Sequence, residues 1–150
     1  MNFKKILVAV DTSENSYRAV EYVGEIVGSS PGFHITLFMV VRPPSRDLFP
    51  DDASYQERIK TLKGEAKAFL ERAEQKLREK GVADENINSL YQDATGTSIA
   101  QNILDFQQRG LFGTVVVGRR GVSKAEEFLF GSVSNKIVHY AKNCTVWVVE

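Results

Sequence analysis

The sequence is poor in the residues that make disulfides, metal centres and triads. Its 150 residues hold one cysteine and two histidines. With Cys144 alone, no intramolecular disulfide can form, and nothing calls for an oxidising compartment. A catalytic thiol needs a base beside it. Neither His34 nor His139 has a triad-like context, so Cys144 is read as a small buried residue. The histidines also lack a cysteine or histidine partner at ligand spacing, so no metal site is expected among them. Charge of one sign is missing too: 19 Lys and Arg balance 19 Asp and Glu. That balance argues against a general electrostatic grip on DNA, RNA or an anionic membrane. Long apolar runs are absent. The longest, such as 6–10 and 37–41, fall far short of the roughly 20 residues a membrane helix needs. The run that follows Met-Asn-Phe-Lys-Lys is also shorter than the roughly 7-residue minimum of a signal-peptide core. A cytoplasmic location is therefore expected.

What is present suits one folded domain. Apolar residues are 43% of the chain and charged residues 25%, ordinary for a globular protein. Segments alternate between strand-like and helix-like. Residues 6–10 and 35–41 are short apolar runs rich in β-branched residues, the look of buried strands. Between them Ala19, Val20, Val23, Ile26 and Val27 recur at helical spacing, with Ser13 as N-cap and Glu14 favouring the helix dipole. Pro43 and Pro44 end the second strand, and 42–53 reads as a surface loop. A long amphipathic helix follows, with Leu62, Ala66, Phe69, Ala73 and Leu77 on one face and Gly81 at its C-terminal end. The charged residues on its other face, Glu65, Lys67, Glu71, Arg72 and Glu74, read as solvated. A weaker strand at 87–92 precedes a helix with Thr97 as cap and Ile99, Ile103 and Phe106 on its apolar face. Residues 115–117 form a fourth strand. Val133, Ile137 and Ala141 mark a fourth helix, and Thr145–Val149 is the last strand. The order β-α-β-α-β-α-β-α-β predicts an open, mostly parallel sheet with helices on both faces.

Ligands of such sheets sit at the carboxyl ends of the strands, where strand order switches. That singles out the turn after the first strand, the end of the second, and the loop after the fourth. The last is the richest. Gly118 and Gly121 come directly off a strand, and Gly131 follows after nine more residues, with Ser132, Val133 and Ser134 starting a helix. Glycine lets backbone approach a ligand closely. A helix N-terminus offers unpaired N–H groups and a favourable dipole to phosphate. The serines add hydroxyls, and Arg119, Arg120 and Lys124 could offset phosphate charge. A glycine-punctuated loop before a serine-capped helix is the structural alternative. Asp11, at the end of the first strand, could hold ribose hydroxyls or a metal, or cap its own turn.

The spacing Gly-x-x-Gly, nine residues, Gly-Ser resembles the nucleotide-binding signature of the universal stress protein family, in its ATP-binding branch. Lys-Lys-Ile-Leu-Val-Ala-Val-Asp-Thr-Ser near the start is similar to that family's first strand and turn. So is Ser-Val-Ser-Asn-Lys-Ile-Val-His-Tyr-Ala-Lys-Asn-Cys-Thr-Val-Trp-Val-Val near the end. The chain departs from the family pattern where Thr145, rather than proline, follows Cys144, and at Arg119 and Arg120, where small or imidazole side chains are usual. The resemblance implies a single Rossmann-like domain over 1–150, a five-stranded parallel sheet in the order 3-2-1-4-5, and an ATP site that takes its Mg2+ with the nucleotide. By matching position, Asp11 would hold the ribose or adenine side, and Val40 would offer backbone to adenine. Gly118 and Gly121, with Arg119 between them, would line ribose and phosphates, and Gly131, Ser132, Val133 and Ser134 would bind phosphate. It further implies a homodimer through Thr145–Val149, because an apolar edge strand needs cover.

Three functions compete. One is an ATP-binding stress or signalling module with at most slow hydrolysis. The second is a dimeric scaffold that uses no nucleotide. The third, a fast enzyme, is least favoured. Phosphoryl transfer usually needs metal-holding carboxylates and a group that positions the nucleophile, and no histidine stands near the loop. A Walker lysine loop is absent, and Asp11-Thr12-Ser13 lacks the glycine-rich turn of adenylating enzymes.

Overall fold

The computed structural model describes residues 1–96, 98–119 and 133–150. Among these residues five strands, β1 (Asn2–Val10), β2 (His34–Val41), β3 (Ile87–Asp93), β4 (Phe112–Gly118) and β5 (Thr145–Val149), alternate with four α-helices. These are α1 (Glu14–Val27), α2 (Asp52–Glu79), α3 (Ile99–Gly110) and α4 (Val133–Tyr140). The strands form one sheet in the order β3-β2-β1-β4-β5, and every pairing is parallel.

Strand period 2 divides β1 between two cores. Ile6, Val8 and Val10 face α1 and α2, together with Ile35, Leu37, Met39 and Val116. Leu7 and Ala9 face the other layer, with Phe38, Val40, Val115, Val117, Ile103 and Ile137. Both faces of β1 are covered, which is why its sequence is a continuous apolar run rather than an alternating one. The register carries one row of side chains across the whole sheet: Ser89, Leu37, Val8, Val116, Trp147. The next row, on the opposite face, is Leu90, Phe38, Ala9, Val117, Val148. Its inner members are buried, while Leu90 and Val148 at its two ends are 40% and 44% exposed.

Helix ends follow local chemistry. The Ser13 hydroxyl accepts from the Ser16 N–H at 3.2 Å and caps α1. Gly81, at φ 100°, lets Val82 N–H reach back to Leu77 O at 3.0 Å and closes α2. The cap of α3 is Ser98, whose hydroxyl accepts from Gln101 N–H at 3.3 Å. The predicted cap, Thr97, lies outside the described residues. Three expectations of burial change. Ile26, expected on the inner face of α1, is 54% exposed. Val133 is 39% exposed, and the buried residues of α4 are Ser134 and Ile137. Cys144 is half-buried against the second core rather than fully enclosed. Among the described residues no helix is long and apolar enough to cross a membrane.

Candidate functional site

Because all five strands run the same way, their carboxyl ends share one edge. Helices that follow strands return in the opposite sense, so the N-termini of α1, α3 and α4 point back to that edge. In the order 3-2-1-4-5 the switch point falls between β1 and β4, which pair from Ile6↔Thr114 to Ala9↔Val117. Asp11 stands just beyond the end of β1, and Gly118 and Arg119 at the end of β4. Topology alone brings these three candidates to one edge of the sheet, at its switch point.

Asp11 is held by a compact network. Its Oδ1 accepts from Ser13 N–H at 2.8 Å and from the Ser16 hydroxyl at 2.9 Å. The Asp11 N–H in turn donates to Ser16 Oγ at 2.9 Å. The carboxylate therefore does close its own turn, one of the roles its sequence position allowed. Ser16, 5% exposed, is the hub of this turn. Sequence reasoning passed over it. Its signal was a serine at the third position after another serine, inside the first turn of a helix that is otherwise apolar on its inner face.

Gly118 makes a close backbone approach, but to the protein itself. A Cβ at this position would lie 2.6 Å from Asn15 O, 2.8 Å from Asn15 C and 3.1 Å from Ser16 N. The end of β4 thus packs directly on the first turn of α1, and only a residue without a side chain fits. Arg119 continues the β4–β5 ladder, donating its N–H to Val149 O at 2.7 Å. Its guanidinium lies 3.9 Å from the Glu150 carboxylate. Val40 is paired with Gln92 of β3, and registered pairing with β1 ends one residue earlier, at Val10↔Met39. Its side chain is buried in the second core, which leaves backbone as what it could present at this edge. Ser134 is buried in the first turn of α4, while Val133 is half-open. Gly121, Gly131 and Ser132 lie outside the described residues.

The turns on either side of this edge are held by residues without obvious sequence marks. Asn102 of α3 is 5% exposed. Its Oδ1 accepts from Thr95 N–H, the Thr95 hydroxyl and Gln92 Nε2 at 3.0, 3.0 and 3.2 Å. Its Nδ2 donates to Thr95 O at 2.7 Å and Ser98 O at 2.8 Å. This one side chain satisfies the polar backbone of the β3–α3 turn. A polar residue between Ile99 and Ile103 on a buried helix face was the clue. On the other side, Arg72 of α2 stacks 3.7 Å from the Tyr17 ring and pairs with Glu14 at 3.4 Å. That contact ties α2 to the N-terminus of α1. Phe69, against the same Tyr17 ring, is level with the start of α1. The 17 residues of α2 before it extend about 25 Å further, at 1.5 Å per residue.

A parallel sheet in this order, with helix N-termini gathered at its switch point, defines a doubly wound, Rossmann-like α/β protein. The chain belongs to the universal stress protein family, which it matches over residues 2–150. It is 30% identical to universal stress protein YxiE of Bacillus subtilis, with 99% of each chain covered. Among solved structures it resembles a universal stress protein in complex with cAMP, at TM-score 0.74 and 21% identity, covering 97% of this chain. It also resembles the universal stress protein of Archaeoglobus fulgidus in complex with dAMP, at TM-score 0.66 and 22% identity, with all of both chains covered. Both carry the same fold as this chain.

Proposed function

We propose that the domain formed by residues 1–150 binds an adenine nucleotide, ATP in the cell, across the β1/β4 switch point. What supports this reading is topological: Asp11 follows the end of β1 and Gly118 ends β4, the two strands that flank the switch point, and the N-terminus of α4 points to the same edge of the sheet. The motif glycines Gly121 and Gly131 belong to the segment that joins β4 to α4. The cAMP and dAMP bound by two proteins of this fold add support for the adenosine moiety. In this reading Asp11 holds the ribose or adenine side, Val40 offers backbone to adenine, and Gly118 and Gly121 flank the sugar and phosphates. Gly131, Ser132, Val133 and Ser134 take the phosphates. Arg119, between Gly118 and Gly121 in the sequence, stands beside the sugar and phosphates. Two of the described features fit such a guest: a helix N-terminus suits phosphate and a half-buried carboxylate at the switch point suits ribose. Mg2+ would enter on the phosphates and keep most of its water, as it does in sites with few carboxylates.

The module would serve in stress response or signalling in the cytoplasm, with hydrolysis slow at most. It would act as a homodimer joined through Thr145–Val149, where Val148 offers apolar surface at the edge. A dimeric scaffold without nucleotide is the second reading. It is favoured by the roles that Asp11 and Gly118 already fill within the fold. Calorimetric titration of Mg-ATP, AMP and cAMP into stripped protein separates the two. Asp11→Asn keeps the Oδ1 acceptor and so keeps the turn, while Gly131→Glu places an anion in the phosphate motif. Micromolar ATP binding, weakened by both substitutions with the fold retained, is expected. No binding by the parent protein refutes the nucleotide reading.

A further inference from the structure

Ser16 stands where both strands of the switch point meet the first turn of α1. β1 ends at Val10, and Asp11 follows it. From the β4 side, a Cβ on Gly118 would lie 3.1 Å from Ser16 N. Ser16 is 5% exposed in this position, while Asp11 is half-buried.

The Ser16 hydroxyl grips Asp11 at two points. Its Oγ accepts from Asp11 N–H at 2.9 Å and donates to Asp11 Oδ1 at 2.9 Å. One atom thus joins the main chain and the carboxylate of the same residue, and fixes backbone and rotamer together. Ser13 N–H also holds Oδ1, at 2.8 Å, but at a single point. A carboxylate accepts at about four positions, so these bonds orient the group and do not by themselves saturate it.

This corner sorts the parts of a nucleotide. A carboxylate only accepts hydrogen bonds. Phosphate oxygens are acceptors too and carry the same sign of charge, so Asp11 repels them. Sugar hydroxyls donate, and a hydrogen bond to a carboxylate is among the stronger ones. The start of α1 also turns phosphate away. Two of the N–H groups it would offer, those of Ser13 and Ser16, are taken by Asp11 Oδ1 and by Ser13 Oγ.

We propose that Ser16 is a positioning residue for a ribonucleotide. It holds the Asp11 carboxylate in the orientation that accepts from the 2′- and 3′-hydroxyls, and so makes the site select ribose over a sugar that lacks them. The assignment rests on the nucleotide-binding reading and gives Asp11 to the sugar rather than to adenine. Ser16 itself acts only through Asp11.

Calorimetric titration of ATP and of 2′,3′-dideoxy-ATP, both with Mg2+, into the same folded protein tests this. Both ligands meet one folded fraction, so partial unfolding cancels in the ratio of their affinities. The parent should prefer ATP by about tenfold or more, the worth of a hydrogen bond to a charged group. Ser16→Ala should weaken ATP by about tenfold and leave the dideoxy compound within about twofold, so that the preference vanishes. Asp11→Ala should lose the preference likewise. Ser16→Ala added to it should weaken ATP no further, because the two residues act as one unit. Ser16→Cys, similar in size and with a weak S–H donor, should fall between the parent and Ser16→Ala. The inference is overturned by a preference unchanged in Ser16→Ala, by equal loss of both nucleotides, which marks a merely structural role, by additive effects in the double variant, or by a parent that binds both nucleotides alike. In each of these cases the nucleotide-binding reading stands. A parent that binds neither nucleotide refutes that reading and this inference with it.

Discussion

Gly118→Ala offers a sharp test of how the crevice is assembled. The added methyl would sit 2.6 Å from Asn15 O and 2.8 Å from Asn15 C. Both are backbone atoms of the first turn of α1, so no side chain can swing aside. Ordinary van der Waals contact requires about 3.5 Å, and the gap must open by nearly an ångström. Either β4 bends outward or α1 lifts off the sheet. Overpacking of that kind costs about 1–3 kcal/mol, and contact with rigid backbone points to the upper half of the range. For a chain of this size each kcal/mol moves the melting temperature by about 2–4 °C, so a fall of about 4–12 °C is expected. Gly64→Ala is the matched control. Gly64 lies inside α2, and a Cβ there meets nothing within 4 Å. Alanine should raise stability by about 0.5–1 kcal/mol through helix propensity alone. Urea unfolding of the two variants, followed by circular dichroism, reads both signs in one experiment. The lifted α1 should also loosen the Ser16 bonds to Asp11, so Gly118→Ala should weaken nucleotide binding more than its stability loss alone would. If Gly118→Ala unfolds within about 0.5 kcal/mol of the parent, ordinary surface noise, then the strand-to-helix approach does not organise this edge.

Other expectations follow from single residues. Hydrogen bonds from Ser54, its backbone N–H first, hold the Asp51 carboxyl below its usual 3.8. The unfolded chain therefore binds more protons than the folded one in that window. The stabilisation is complete above pH 3.8 and is lost as pH falls through the folded value. Asp51→Asn can still cap α2 but does not titrate, so its melting temperature should fall less steeply in acid; parallel melting profiles would refute this. Burial pushes the Cys144 thiol up, so the native protein at pH 8 should react with a disulfide reagent more slowly than the unfolded chain, and equal rates would contradict the packing described. Phe38 is 1% exposed and stacks on Phe106 at 4.1 Å. Phe38→Ala should cost about 3–5 kcal/mol, seen as a lower urea midpoint at unchanged slope.

Some of this architecture could be read from the sequence because the cause is local. A strand buried on both faces must be apolar at every position, and residues 6–10 and 35–41 are. Pro43 and Pro44 stop β2, Gly81 closes α2, and Ser13 caps α1, each through its own backbone chemistry. Strand ends were less legible. β1 begins at Asn2 and β4 at Phe112, because pairing partners can recruit polar or glycine residues that have no strand signature of their own. The site was legible only in part. Asp11 stands where its position indicated, but its bond to Ser16 depends on a helix turn. Gly118 looks like a ligand-facing glycine, yet the atom that forbids a side chain belongs to Asn15, far away in the chain. Asn102 and Gln107 carry no motif at all. Each is a polar residue on an apolar helix face, a pattern visible in sequence whose partners appear only when turns are brought together.

The parallel topology has a chemical consequence for both ends of the molecule. Among the described residues every strand points one way and the α-helices between them return, so helix N-termini collect at the carboxyl edge and helix C-termini at the amino edge. Unpaired N–H groups and positive dipole ends make the first edge a natural place for phosphate. Carbonyls and negative dipole ends make the second a place for hydrogen-bond donors. The details agree with this division. At the carboxyl edge the side chains of Ser13 and Ser98 accept from helix N–H groups. At the amino edge Lys5 donates to Gly110 O at the end of α3, and Gln107 donates to Phe112 O. One fold thereby presents two chemically opposite surfaces without any net charge on the chain.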